Sequence, residues 1–345
     1  MLLSRKVIIA AAAATGILLS GCAATTAGSS SSASEKTITI ASPQCAHCLA
    51  MALLPDQIKG YKVEYQNFSK LSDLEAGLAS GRIDVGQIDY TGLVAVISQG
   101  LPIIAISGEV NGGSDLLVSP SLKVKTGDWA SFKSLVVSRK VDGKPLTIAS
   151  QFGSVQDIEL RLELPKEGVK VSDVNIVNTT YEGMAQALHS GSVDAAAAVQ
   201  PFAAAIIEGG FGKHFDFPYD QAAGNLTNVV VVSQRYAKDD PAAVAAITKG
   251  MVGLVAHLKT KSGKAEWSKV VQKYTNTSAP VVESALSQLT PDLKIPMSQV
   301  KAIAASMYSQ GLLSKPVSDA QLSANIDYAP LAKATGKSAA ELGSE

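Results

Sequence analysis

Cysteine, histidine, aromatic residues and net charge are all scarce in this chain, and each scarcity narrows what the chain can do. Lys+Arg and Asp+Glu stand at 30 each, so the formal net charge is zero. A balanced charge gives no footprint for a polyanion, and nucleic acid is not an expected partner. There are three cysteines and four histidines. His189, His214 and His257 are scattered, so they offer no metal-ligand spacing. With 46% hydrophobic and only 17% charged residues, the 345 positions can instead build sizeable cores, enough for two domains.

The first residues read as an address. Arg5 and Lys6 precede an apolar run from Val7 to Leu19, the length of a signal-peptide core and short for a membrane span. Leu19-Ser20-Gly21-Cys22 follows, which resembles a bacterial lipobox. That resemblance implies a signal over 1–21, cleavage before Cys22 and lipidation of Cys22, which would anchor the chain to a membrane. Without Arg5 and Lys6 the mature chain stays near neutral. The stretch AATTAGSSSSAS is small and polar, so residues 22–35 are expected to form a flexible tether.

From Lys36 the pattern alternates strand and helix. TITIAS, KVEYQNF, IDVGQI and LPIIAIS read as strands, with helices between them. A second series, from PLTIAS through VNIVNT to VDAAAAV, matches the first element for element. The helix ends echo each other. LASGRIDVG (78–86) and LHSGSVDAA (188–196) share Leu-x-Ser-Gly-x-x-Asp. In each, Gly supplies the positive φ needed to leave a helix before the next strand. Neither copy holds a nucleophile–base pair, a metal cluster or a phosphate loop. Asp84 and Asp194 fall at strand starts, where a turn role is expected rather than acid–base work.

The expected fold class is α/β, with two doubly wound lobes joined by a two-strand hinge and C-terminal helices packed on lobe one. Lobe one would take 36–118, lobe two 119–226, and 227–345 would supply a return strand plus the helices. SDLLVSP and NLTNVVVVSQRY are the candidate hinge strands.

The stretches LEAGLASGRIDVGQIDYTGLVAVISQGLPIIAIS, LHSGSVDAAAAVQPFAAAIIEGG and DGKPLTIASQFGSVQD carry a family likeness. They resemble the periplasmic-binding-protein type II fold, in the sulfonate/nitrate/taurine and thiamine-precursor group of ABC-transporter solute-binding proteins. The resemblance implies an extracytoplasmic, lipid-anchored monomer without a cofactor. It would bind a small molecule and deliver it to an ABC permease with its ATPase. The first loop, SPQCAHC, and Asp89-Tyr90 depart from the group's pattern, so the ligand is open to a sulfonate, an amino-bearing molecule or a pyrimidine-like ring. Relatives in thiamine-pyrimidine synthesis are enzymes, but they act inside cells, and no enzyme activity is expected here.

Ligands of open α/β sheets bind beyond the C-terminal strand ends. That rule names Ser42, Gln44, Cys45 and His47 after the first strand, then Gln87, Asp89 and Tyr90, then Glu109 and Asn111. In lobe two it names Gln151, Phe152, Gly153, Ser154 and Val155, then Gln200 and Phe202. Gln151 to Ser154 would suit an anion, through a close backbone approach and the Ser154 hydroxyl. Asp89 and Glu109 would instead welcome an amine. Tyr90 and Phe152 could stack on a flat ring. Cys45 and Cys48 are expected to form a disulfide, as an even pair outside the cytoplasm. The alternative is a metal-binding or redox lipoprotein using Cys45, His47 and Cys48.

Overall fold

The computed structural model describes residues 36–68 and 71–345. The expected signal, the expected lipidation at Cys22 and the expected tether lie outside the described residues.

Two five-stranded sheets hold the two series. In the first half, β1 (Thr37–Pro43) is followed by β2 (Lys62–Phe68), α1 (Leu71–Ser80), β3 (Val85–Asp89), α2 (Tyr90–Gln99) and β4 (Ile103–Gly108). A short β5 (Val110–Gly112) leads to β6 (Ser114–Val118). The second half runs α3 (Trp129–Val141), β7 (Thr147–Ser150), α4 (Val155–Lys166), β8 (Asn175–Asn178), α5 (Tyr181–Ser190), β9 (Ala195–Val199), α6 (Phe202–Glu208) and β10 (Lys213–Asp216). Then β11 (Asn228–Ser233) opens the last third, with α7 (Gln234–Asp239), α8 (Pro241–Leu258), α9 (Lys261–Thr275), α10 (Ala279–Ser287), β12 (Leu289–Pro291), α11 (Met297–Ser309), α12 (Asp319–Ala324) and α13 (Ala329–Thr335).

The sheets have matching topologies. The first is ordered β2-β1-β3-β11-β4 and the second β8-β7-β9-β6-β10. In each, four strands share one direction and the fifth is antiparallel to both its neighbours. That antiparallel strand is exchanged between the halves. β6 follows the first series but joins the second sheet, and β11 follows the second series but returns to the first. The first crossing therefore lies before Ser114, and 114–118 belongs to lobe two rather than lobe one. All six residues of β11 are buried, as a central strand covered on both faces requires. At the edge, β2 alternates between more and less exposed positions.

The two crossings are tied together. Gly112 N donates to Asn225 O at 2.9 Å, and Thr227 N donates to the Asn111 side chain at 3.1 Å. β5 also pairs with β12.

The repeated Ser-Gly-x-x-Asp motif has one structure in both lobes. Gly81 and Gly191 take φ of 73° and 72° and end α1 and α5. The Asp then binds the neighbouring strand twice. Asp84 N donates to Thr39 O, and its carboxylate accepts from Thr39 N at 2.8 Å. Asp194 does the same with Thr147, accepting at 2.9 Å. Both are strand-start staples, remote from the C-terminal strand ends.

The C-terminal helices pack mainly on lobe one. Asp240 caps α8 through Ala243 N, with Pro241 in its first turn. α8 is long and apolar enough to match a membrane span, but half of it is buried in the core. The helices also reach the other lobe. Ile158 of α4 shares an apolar cluster with Met297 and Val300 of α11, and Ala204 of α6 shares one with Val282 and Ala285 of α10. The lobes therefore touch through two helix pairs, α4 with α11 and α6 with α10.

Candidate functional site

The gap between the two sets of C-terminal strand ends is a cavity of about 500 Å³. That is within the range of small-molecule sites. Lobe one contributes Pro43, Gln44, Cys45, His47, Cys48, Gln87 and Asp89. Lobe two contributes Gln151, Val155, Gln156, Thr180, Tyr181, Glu182, Val199 and Phe202. The return strand and its approach add Thr227 and Asn228, and the end of α9 adds Tyr274 and Thr275.

Of the residues expected from the strand-end rule, Gln44, Cys45, His47, Gln87, Asp89, Gln151, Val155 and Phe202 meet at this cavity. The others are placed elsewhere, each for a visible reason. Ser42 is fully buried behind the wall and shares a hydrogen bond with the Tyr65 hydroxyl at 2.7 Å. Tyr90 is the first residue of α2, and its ring turns into the lobe-one core, 0% exposed. It offers no stacking surface. Glu109 is also 0% exposed and does not line the cavity; burial pushes its carboxyl well up from the usual range. Asn111 holds the hinge through Thr227. Gln200 turns its side chain to Ala204 N at 3.1 Å and its carbonyl to Ala46 N at 3.2 Å. Phe152 is exposed and covered by the Arg161 guanidinium, 5.3 Å from its ring centre.

Gly153 and Ser154 fail as an anion cradle because their own chain fills it. Gly153 N donates to Asp157 at 3.3 Å, Phe152 N donates to Asn178 at 3.1 Å, and Ser154 Oγ accepts from Asp157 N as the cap of α4. Asp157 therefore already supplies a carboxylate at this loop, steadied by Arg161 at 3.0 Å. The N-terminus of α2 is treated alike, with Asp89 accepting from Gly92 N at 2.6 Å. A helix N-terminus that carries its own carboxylate has little attraction left for another anion.

Apart from His47, the polar side chains lining the gap are carboxylates, amides and hydroxyls, the last two able to donate as well as accept. Gln87 donates through its amide to Ile88 O at 3.2 Å, leaving Oε1 buried without a partner. Asp89 and Glu182 add carboxylates, and burial raises the Asp89 pKa from its ordinary value. Among the described residues, no Lys or Arg lines the cavity. His47 brings no charge, because burial lowers its pKa to about 3.

The aromatic walls differ from those expected. Tyr181 stacks on Phe202 with ring centres 6.0 Å apart and planes 17° from parallel. Its hydroxyl donates to Gln156, which donates in turn to Ser114 Oγ at 2.8 Å. Tyr274 also lines the cavity and is held edge-on by Tyr65 at 5.9 Å. The strand-end rule could have found Thr180, Tyr181 and Glu182, which closely follow β8. Nothing in the local sequence marks Tyr274 and Thr275.

Cys45 and Cys48 are joined by a disulfide, with Cα atoms 4.9 Å apart. The bridge rigidifies a loop clamped from two sides. Ala46 N donates to Gln200 O in lobe two, and Ala46 O accepts from the buried Trp267 Nε1 at 2.8 Å.

Comparison with known proteins places this arrangement. The ligand-binding component of an ABC-type import system from Staphylococcus aureus, solved with zinc bound, superposes with a TM-score of 0.72 at 15% identity, covering 88% of this chain and 100% of that one. The periplasmic nitrate-binding protein NrtA from Synechocystis PCC 6803 gives 0.74 at 12% identity over 90% and 92%. The alkanesulfonate-binding protein SsuA from Xanthomonas axonopodis pv. citri, bound to MOPS, gives 0.65 at 20% identity over 85% and 98%. These likenesses show the fold of the periplasmic binding proteins. In sequence, a putative ABC transporter periplasmic binding protein from Brachyspira hyodysenteriae is 26% identical over 158 residues, and the match spans 42% of this chain and 42% of that relative's length. The NMT1-like family matches residues 30–272, which end within α9 and make up most of the chain, and the chain belongs to that family.

Proposed function

We propose that this chain is the extracytoplasmic solute-binding component of an ABC importer, and that its ligand is a small amino-bearing molecule with a flat, pyrimidine-like ring. The observation that carries the ligand class is the polarity of the gap. Its wall holds two carboxylates, Asp89 and Glu182, and, among the described residues, no Lys or Arg, so a ligand that carries an amine is favoured over an anion. The sulfonate and nitrate named for the structural neighbours are anions, and each of three helix starts near the gap carries its own carboxylate: Asp89 caps α2, Asp157 lies in the first turn of α4, and Glu182 lies in the first turn of α5, which has no side-chain cap. Tyr181, Phe202 and Tyr274 offer apolar faces to a ring.

The working cycle needs no covalent step. A ligand that touches both lobes only when they are closed binds the closed form more tightly and shifts the population toward it. The closed form then engages a permease and its ATPase. Lipidation at Cys22 would keep the monomer at the membrane surface. Labelling with an alkyne fatty acid, lost in Cys22→Ser, tests that part.

Thermal-shift screening of aminopyrimidines, amino acids, sulfonates and nitrate tests the ligand class, followed by calorimetry and small-angle scattering for closure. An amine that raises Tm and compacts the protein is the expected result. Stabilisation by sulfonate or nitrate, with none by amines, would overturn the ligand class. Failure of the whole panel would count against solute binding itself.

A further inference from the structure

We infer that the Cys45–Cys48 loop, once its disulfide is reduced, is a binding site for one soft metal ion, Zn(II) or Cu(I), held by both sulfurs and His47. The ligand atoms of the three residues lie within 4.8 Å of one another. All three line the cavity, so an ion can reach them. The spacing Cys-x-His-Cys would be awkward on an α-helix. Here the helical turn begins only at Cys48, and the residues before it form a bend that gathers the side chains on one side.

His47 is the independent observation. It is 4% exposed, and its Nδ1 is buried without a hydrogen-bond partner. Buried imidazole nitrogens are normally paired, and an unpaired one on a ring that has a nitrogen within 4.8 Å of two sulfurs asks for an explanation. The other histidines have roles. His214 pairs with Asp115 and His257 with Glu266, each at 2.8 Å, while His189 meets the ring of Phe211. The sulfurs also have donors nearby. Cys48 N donates to Cys45 Sγ at 3.2 Å, and Asn228 Nδ2 points to Cys48 Sγ at 3.8 Å. Such donors stabilise thiolates and orient them as ligands.

Two thiolates and an imidazole are a soft to borderline donor set, which selects Zn(II) or Cu(I) over calcium or magnesium. Three protein ligands leave a position open toward the gap, as in open Cys₂His sites. The chemistry balances with an external dithiol as reductant. The dithiol gives two electrons and two protons to the Cys45–Cys48 bond and becomes a disulfide itself. The metal then replaces the two thiol protons, which pass to solvent. The oxidised loop offers no thiolate, so the redox state of the loop gates the site.

The test is an anaerobic titration of oxidised and reduced full-length protein with Zn(II), against a chromophoric chelator, with Cu(I) in a parallel arm. The expected result is one ion per chain for the reduced form and none for the oxidised form. Co(II) in place of Zn(II) should show thiolate-to-metal charge transfer, and bound metal should protect both cysteines from alkylation. Cys48→Ser and His47→Gln should each weaken binding about tenfold or more. If a variant fails to fold, the comparison of oxidised with reduced wild-type protein and the Co(II) spectrum still decide. Equal binding by the oxidised protein, no charge-transfer band, or no bound ion in the reduced protein overturns the site. None of these readouts depends on the organic ligand.

Discussion

Replacing Asp84 by alanine and by asparagine measures what the repeated Ser-Gly-x-x-Asp motif does. The Asp84 carboxylate accepts from Thr39 N at 2.8 Å, and burial, the largest influence on it, raises its pKa. The charge itself is therefore not what the site favours; the acceptor is. Asp84→Asn keeps an acceptor without a partly buried charge and should change stability little. Asp84→Ala leaves the Thr39 N–H without its partner, at about 1–2 kcal/mol. At Asp194 the same staple to Thr147 N is joined by Arg139, whose two contacts are 3.2 Å each. That pair is partly solvent-screened, so it adds only about 0.5 kcal/mol. Asp194→Ala should then cost about 1.5–2.5 kcal/mol. At about 2 °C per kcal/mol for a domain of this size, Tm should fall by about 2–4 °C for Asp84→Ala and about 3–5 °C for Asp194→Ala. The sites lie in different lobes, so the double variant should be additive to within about 0.5 kcal/mol. Thermal and urea denaturation followed by circular dichroism gives these numbers. Both residues sit a strand's length from the gap, about 15 Å, so the affinity for any ligand found by screening should not move. A loss of affinity in the stable Asp84→Asn variant would refute the staple reading.

Glu75 carries a pH dependence. Burial, and then the nearby Asp89 charge, raises its pKa to about 7. Between the ordinary carboxylate range and pH 7 the folded chain holds a proton that the unfolded chain has released. This contribution to stability is therefore present at low pH and lost as pH rises through that window. Glu75→Gln should raise Tm at pH 8 and leave it unchanged at pH 4. Asp89→Asn keeps the cap on Gly92 N but removes the charge. Calorimetry should show amine affinity falling roughly ten- to hundredfold, the value of a charge-assisted hydrogen bond. The Cys45–Cys48 bridge closes only a short loop, so its reduction by dithiothreitol should cost about 2 kcal/mol by denaturant titration. A Cys45→Ser/Cys48→Ser double variant should show no such response.

Much of the architecture was legible in the chain itself. Alternating strands and helices, the Ser-Gly-x-x-Asp echo and the Asp240–Pro241 helix start are local signals, carried by side-chain period and backbone preference. The two look-alike halves follow from them, and so does the rule that loops after strands face the ligand. That rule brought Gln87, Asp89, Gln151 and Phe202 to one cavity.

The crossings were expected at SDLLVSP and NLTNVVVVSQRY, but only the tertiary structure decided that β6 belongs to the second sheet and that β6 and β11 each run antiparallel to their neighbours, because pairing between distant strands leaves no trace in either one's pattern. It also decided which residue of each loop faces the gap. Tyr90 turned inward because the core beneath α2 had room for its ring, and the loop of Gly153 and Ser154 closed on Asp157 before any ligand could use it. Tyr274 and Thr275 reach the cavity from a helix more than 70 residues beyond Phe202. Their place is set by how α9 packs on the first lobe. Local chemistry determined the elements and their ends, while the direction of each side chain was left to packing, which is a property of the assembled lobes.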